Sequence, residues 1–423
     1  MVTVACYVLA SLGSTSHIPP RLGVFLAVVL GLSLLAHLAN RWLVPDANPV
    51  ILPIAALLNG IGYVLVTRWN PPGDHLAAQQ AAWTAIGIGA YVLTLLVIRH
   101  SRDLDRYRYL LLLAAALLFL APLLPVIGLR INGARLWVHL GPIQFQPVEI
   151  AKICLCIFFA SYFAENKELL TIPTARVGNR LFLDPRPLFP IIVAWGFAML
   201  VIAVENDIGF AALLFILFIG MLWITTGRFG YLLLGIVLFA VGAGVASHLF
   251  VQVHQRVSLW LNPWPNTQLA YAWYGLGTGG VGGVGLGVGS GIPIPFVYSD
   301  MIFAGLGWEL GLLGTATVAM AYLLLVGAGL RVAQAARSDF AKLMATGLTI
   351  LIGFQALIIM AGVLRLLPFT GLTLPFIAYG GSSLVANYVL IAVLMRISQE
   401  SEPLEVAEAS PPSLGERTFE VAA

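Results

Sequence analysis

Eleven runs of mostly apolar residues follow one another along this chain, at 22–40, 49–67, 78–98, 109–128, 148–164, 188–204, 210–226, 229–251, 301–329, 343–364 and 376–395. All but the 29-residue run at 301–329 are about 17 to 25 residues long, the length that crosses a bilayer's hydrocarbon core as a helix. They leave little from which to build a water-facing surface: 60% of the chain is hydrophobic, 10% is charged and the mean hydropathy is +0.93. The composition implies a polytopic membrane protein of all-α class, because in lipid a helix closes its backbone hydrogen bonds within one segment. Most runs are apolar all round, so periodicity does not separate buried from lipid-facing sides. The stretch VTVACYVLASLG at 2–13 is apolar but short for a span. No small-residue cleavage pattern follows it, and a shortened helix is expected there.

Charge is arranged by linker. Arg99, Arg102, Arg106 and Arg108, then Lys167, Arg176, Arg180 and Arg186, then Arg228, then Arg331, Arg337 and Lys342, and last Arg396 occupy one set of linkers. The positive-inside rule assigns that set to the cytoplasm. Segments 131–147, 256–299 and 365–375 then share the outer face. Arg21, Arg68, Arg130, Arg135, Arg256 and Arg365 break the bias, and four of the six flank those three segments. Two readings stay open for them: side chains snorkelling to headgroups, or forks that together bind an anionic group such as a diphosphate. No run resembles a nucleic-acid footprint. Residues 398–423 turn acidic and are expected to form a disordered cytoplasmic tail.

The longest polar interruption, 256–309, combines RVSLWLNPWPNTQ, the glycine-dense YGLGTGGVGGVGLGVGSG and IPIPFVYSD. Its glycines lack the strand–turn–helix setting of a dinucleotide site. They serve either close backbone approach to a ligand or the bending of a re-entrant segment. Asp300 stands where this stretch meets an apolar helix, equally placed to be the helix N-cap or a partly desolvated general base for a hydroxyl. Glu309 lies half a helical revolution away and is expected to meet a structural partner. Pro147, Glu149 and Lys152 open the 148–164 run, with acid and base on one face, as a structural ion pair or as part of a site. Asn132, Arg135 and Trp137 before them are expected in an interfacial turn and half-helix. Asp207, beside Glu205 in a short outer turn, is expected to cap a helix or close the turn, with a chemical role in reserve. Pro375, Gly380 and Gly381 interrupt the last run, where Ser382 and Ser383 are suited to satisfy freed backbone groups. Cys154 and Cys156 read as inert core thiols, and His139, His248 and His254 lack metal-ligand spacing.

These stretches together carry a family signature. NGARLWVHLGPIQFQPVEIAK, ENDIG, RVSLWLNPWPN with the glycine loop, YSDMIFAGLGWELGLLG and RLLPFTGLTLPFIAYGGSSL occur in that order. In them the chain resembles the SEDS family (shape, elongation, division and sporulation) over most of 49–396. The resemblance implies a ten-helix membrane core at 48–397 with a large outer loop at 252–300. The extra membrane helices in 1–47 are similar to an actinobacterial RodA-like branch. It also implies a peptidoglycan glycosyltransferase that polymerises lipid II, the undecaprenyl-diphosphate-linked disaccharide-pentapeptide, on the outer face of the cytoplasmic membrane. Carried over by position, Asp300 is expected to activate the acceptor sugar's 4-hydroxyl. Arg135, Trp137, Glu149, Lys152, Arg256, Arg365, Ser382 and Ser383 are the expected substrate contacts, supported by Asn132, Gln146, Asp207 and Glu309. The chain departs from the family pattern at Val148, Asn206, Ile292, Met301 and Thr370, and Arg365 is expected to supply the positive charge missing at the last of these.

Residues and resemblance agree on one chemistry. The anomeric carbon of a growing strand bears the diphosphate, outer cations hold the leaving group, and Asp300 takes the incoming hydroxyl's proton. One rival is a flippase for the lipid-linked precursor, which needs polar groups at mid-membrane where these spans have few. The other is a non-catalytic scaffold for a penicillin-binding protein. The implied partners are a class B penicillin-binding transpeptidase and membrane lipids, with no nucleic acid. No cofactor is read from the residues; the part of a divalent cation, and elongation versus division, stay open.

Overall fold

The computed structural model describes residues 2–401 except 20–21, 72, 126, 132–133, 142, 172–174, 178–179, 183–185, 206 and 290. The apolar runs are helices: α1 (Val2–Thr15), α2 (Leu22–Leu43), α3 (Ile51–Arg68), α4 (Leu76–Val97), the short α5 (Ser101–Arg106), α6 (Arg108–Leu120), α7 (Val148–Glu165), the short α8 (Lys167–Thr171), α9 (Phe189–Glu205), α10 (Ile208–Thr226), α11 (Phe229–Leu249), α12 (Val251–Leu261), α13 (Thr267–Gly279), α14 (Ile302–Ala335), α15 (Asp339–Val363) and α16 (Gly381–Glu400). Eight of them are long and apolar enough to cross a membrane, which makes this a multi-pass membrane protein. The 18-residue α7 is as long as a span but carries Glu149, Lys152 and Glu165, a load that suits the interior of a bundle better than lipid.

That is where α7 lies. It packs against α6, α10 and α15, while α14 covers α15 and α4 covers α16. Burial reaches 78% along α15 and 83% along α16, against 6% along α2 and α11. The aromatic rings of Phe159, Phe163 and Phe218 meet with centroids 5.8–6.2 Å apart and fill the middle of the bundle. Arg396 fastens α2 to this core. Its guanidinium donates to Leu43 O at 3.0 Å, Leu95 O at 2.6 Å and Ile98 O at 2.8 Å, carbonyls at the C-terminal ends of α2 and α4, where the helix dipoles concentrate negative charge.

Two expectations need correction. The 131–147 segment is not a half-helix: β1 (Gly128–Ile131), β2 (Ala134–Leu140) and β3 (Ile143–Phe145) form an antiparallel sheet in the order β1-β2-β3. Val138 sits opposite Gly128 on one side and Phe145 on the other. The physical reason is in the sequence, where Arg135, Trp137 and His139 alternate with Leu136, Val138 and Leu140, a period of two. A second hairpin, β4 (Ala175–Val177) with β5 (Arg180–Phe182), lies between α8 and α9. The all-α description therefore holds for the bundle and not for this segment.

The 252–300 stretch, expected as a loop, contains α12 and α13, the latter capped by Asn266, whose Oδ1 accepts from Leu269 N at 3.1 Å. The glycines then fold back onto α14, a helix broken at Gly311 (φ 65°, ψ −162°), where only glycine sits without strain. The backbone groups released by the break are taken up by the loop. Val284 N donates to Trp308 O at 3.1 Å, Gly285 N to Glu309 O at 3.0 Å, and Leu312 N to Gly280 O at 2.9 Å. A broken helix is tolerable at membrane depth because another backbone replaces its lost bonds. At the opposite end α16 continues to Glu400, which accepts from Ser101 N at 2.9 Å; the acidic stretch from 402 onward lies outside the described residues.

Candidate active site

A cavity of about 840 Å³ opens at the end of the bundle where β2, α12, α13 and the 296–300 segment meet. Its walls include Trp83 of α4, Trp137 of β2, Glu149 of α7, Asp207 ahead of α10, Arg256 of α12, Gln268 of α13, Asp300, and the 370–373 and 379–383 segments. One wall is apolar, from Ala82 and Ile86 of α4.

Asp300 is not the cap of α14. That helix starts at Ile302, and Met301 stands in the cap position without a side-chain bond. The carboxylate instead receives Ser299 Oγ at 2.9 Å on Oδ1 and Gln268 Nε2 at 3.4 Å on Oδ2. Burial pushes its pKa above the usual carboxylate value, while Ser299, Gln268 and the charge of Arg256 pull it back. Arg256 reaches the cavity from α12 and donates to Thr370 O. Burial lowers its pKa, and the carboxylates of Asp207 and Asp300 oppose that. A Cβ built on Gly371 would lie 3.9 Å from Arg256 Nη2 and 4.0 Å from Asp300 Oδ2. Gly371 has a φ of 72°, so a residue without a side chain both turns the backbone and keeps the space between acid and base open.

Asp207 does both things expected of it. Its Oδ1 accepts from Phe210 N at 3.1 Å as the cap of α10, and it lines the cavity. Burial pushes its pKa up to about 6, against the pull of the Phe210 bond and Arg256. Glu149 and Lys152 form a closed pair beneath: Nζ is 2.5 Å from Glu149 Oε2 and donates to Gln355 Oε1 at 2.7 Å. Gln355 Nε2 in turn donates to Thr373 O at 3.0 Å. Glu149 touches the cavity, whereas Lys152 is fully buried and is not among the residues that line it.

The other expected residues divide in the same way. Ser382 Oγ accepts from Gln146 N at 2.9 Å, joining α16 to the start of α7, and Ser382, Ser383 and Gln146 all line the cavity. Arg365 does not. Its Nε donates to Trp260 O at 3.0 Å and its Nη2 to Leu261 O at 2.8 Å, and its guanidinium lies over the Trp273 ring. It closes the C-terminal end of α12 and supplies no charge to the cavity. Arg135 is exposed on β2, away from the cavity walls. Asn132 lies outside the described residues. Glu309 finds the structural partner expected of it, with Oε1 3.2 Å from Arg68 Nε. Sequence reading missed Gln268 and Gln355. Gln355 had a signal, since a lone amide inside an apolar span needs a partner; Gln268 sits among loop residues with nothing to mark it. Among the described residues no group of three or more His, Cys, Asp or Glu is placed to hold a metal ion.

The arrangement offers a half-buried carboxylate and a half-buried guanidinium facing one space, with an apolar wall beside them. Comparison with known proteins addresses the chain as a whole. The chain is 37% identical over 376 residues to the peptidoglycan glycosyltransferase RodA of Mycobacterium tuberculosis, covering 86% of this chain and 80% of that one. A chain from a structure of a peptidoglycan synthase complex, described as coordinating polymerization and crosslinking, superposes with a TM-score of 0.69 at 27% identity, over 84% of this chain and 99% of that one. The rod shape determining protein RodA of Thermus thermophilus shares the fold, with a TM-score of 0.62 at 24% identity over 84% and 97% of the two chains. The family model of FtsW, RodA and SpoVE, described as cell cycle proteins, matches residues 51–403. With that model spanning most of its length, the chain belongs to the FtsW/RodA/SpoVE family.

Proposed function

We propose that this chain is a peptidoglycan glycosyltransferase that lengthens glycan strands from lipid II, with Asp300 as the general base. The observation that carries the reading is the meeting of Asp300 and Arg256 in one cavity beside an apolar wall. The carboxylate accepts the proton of the acceptor sugar's 4-hydroxyl as that oxygen attacks the anomeric carbon of the growing strand. The carbon–oxygen bond to the diphosphate breaks, and its electron pair leaves on the phosphate oxygen. Arg256 stabilises that developing charge with a fork suited to phosphate oxygens. The raised pKa of Asp300, caused by its burial, makes its carboxylate a better proton acceptor than an exposed one. The apolar wall of α4 suits a substrate whose carrier is a lipid.

The cavity lies at the end of the bundle opposite the basic linkers, which the positive-inside rule places outside the cytoplasmic membrane. Beneath it, Phe158, Phe159 and Phe163 are fully buried, so the packed core favours transfer at one face over passage through the bundle. A class B penicillin-binding transpeptidase is the proposed partner, supported by the likeness to a chain of a synthase complex. The test is polymerisation of purified lipid II, with and without that partner, by the protein and by Asp300→Ala. Loss of polymer from a folded, inserted variant is expected; polymer made at the parental rate removes Asp300 from the mechanism.

A further inference from the structure

The segment that delivers Asp300 is held from three sides before it reaches the cavity. Glu309 Oε2 accepts from Gly287 N at 3.0 Å, and its other oxygen pairs with Arg68 of α3. Arg68 Nη2 donates to Gly289 O at 2.8 Å, so one ion pair grips the glycine loop at two backbone points. The third side is α1, which precedes the part of the chain the family model matches. A Cβ built on Gly13 would lie 2.3 Å from Leu286 O, and one built on Gly287 would lie 2.1 Å from Ala10 O. Helix and loop are therefore in backbone-to-backbone contact, and the loop rests between α1 and the α3–α14 clasp.

Between the clasp and the cavity two contacts tie the chain to its surroundings. Val297 is buried against Gly305 of α14, and Tyr379 N donates to Tyr298 O at 2.9 Å. These contacts couple the segment just ahead of Asp300 to α14 and to Tyr379.

We propose that Arg68 and Glu309, with α1 seated over the loop, are positioning residues that hold the Asp300 segment against the cavity. The inference rests on the reading of Asp300 as the base. Neither side chain lines the cavity, so both act through the backbone of the loop. The charged and titratable groups around Asp300 are Arg256 from α12, Asp207 ahead of α10, Tyr298 beside it and, through Asp207, Glu149 of α7; none is altered by changes at Arg68 or Glu309.

The test compares Glu309→Gln, Arg68→Lys and Gly13→Val with the parent in lipid II polymerisation, recording kcat, KM and the pH profile. The amide introduced by Glu309→Gln keeps an acceptor for Gly287 but loses the ion pair. A loosened loop is expected to lower kcat about 10- to 100-fold, with KM within about twofold. It is also expected to move the acid limb to lower pH, because water reaching Asp300 removes the burial that raises its pKa. Gly13→Val should act in the same direction from outside the clasp. A smaller amount of active protein with an unmoved limb, or parental kcat in the variants that fold, overturns the proposal. If Glu309→Gln does not fold, Arg68→Lys and Gly13→Val decide. Asp300→Ala in the same assay separates the two ideas: its inactivity beside unaffected clasp variants defeats the positioning role alone, and its full activity defeats the base.

Discussion

Two acid–base pairs stand at the same end of the bundle, and they are built differently. Glu149 and Lys152 are both buried and meet at 2.5 Å, and the ammonium's second partner is Gln355. Asp300 and Arg256 flank the gap over Gly371, and a cavity separates their remaining capacity from protein partners. A buried ammonium whose partners are all supplied by its own bundle is costly to break, and of this pair only Glu149 touches the cavity. A pair that is desolvated but left open is where a substrate can complete the set.

The sharpest way to break this contrast is Asp300→Ala, for which a loss of about 100- to 10,000-fold in polymerisation rate is expected from removal of a general base, with thermal stability near the parent's. Lys152→Met attacks the closed pair and should destabilise the protein by about 3–5 kcal/mol, because Glu149 is left charged and alone in the interior. Adding Glu149→Gln should recover most of that stability, read as a thermal midpoint in detergent. Activity that stays lost in the stable double variant would move Lys152 from the scaffold to the site.

Arg256→Gln tests the open pair from its other side. A drop of about 10- to 100-fold is expected, the worth of a hydrogen bond to a charged group, and the pH profile should respond as well. Arg256 favours the ionised form of Asp300; without it the carboxyl pKa rises further, so the rate falls away at a higher pH as the medium is acidified. A limb that moves the other way would mean that the arginine does not act on Asp300. Arg365→Ala should have the smallest effect on rate, no more than about threefold, because the two bonds it loses, each worth about 1 kcal/mol, close α12 and touch nothing in the cavity. A loss as large as that of Arg256→Gln would return Arg365 to the site.

Much of this was legible before any coordinate. The helices followed from the length of the apolar runs, and Glu309 was expected to face away from Asp300 because nine residues turn a helix through half a revolution. Asp207 was legible as a cap because a short side chain ahead of an apolar helix has few better uses. The sheet at 128–145 was missed although its alternation was visible, since the expectation of helices was extended to a segment whose period of two argues for strands. Gln268 was not legible: its meeting with Asp300 crosses 32 residues, and no local pattern records such a distance.

The sequence by itself determined that the chain crosses a membrane many times, which end of it is basic and which residues belong to family motifs. These follow from run length, charge and order, which are properties of the chain read in one dimension. Only the tertiary structure decided that Arg256 faces Asp300 while Arg365 does not, and that Lys152 is sealed beneath the cavity. Both arginines flank polar segments and look alike in sequence; what separates them is which way packing turns each side chain, and that depends on contacts between segments more than a hundred residues apart.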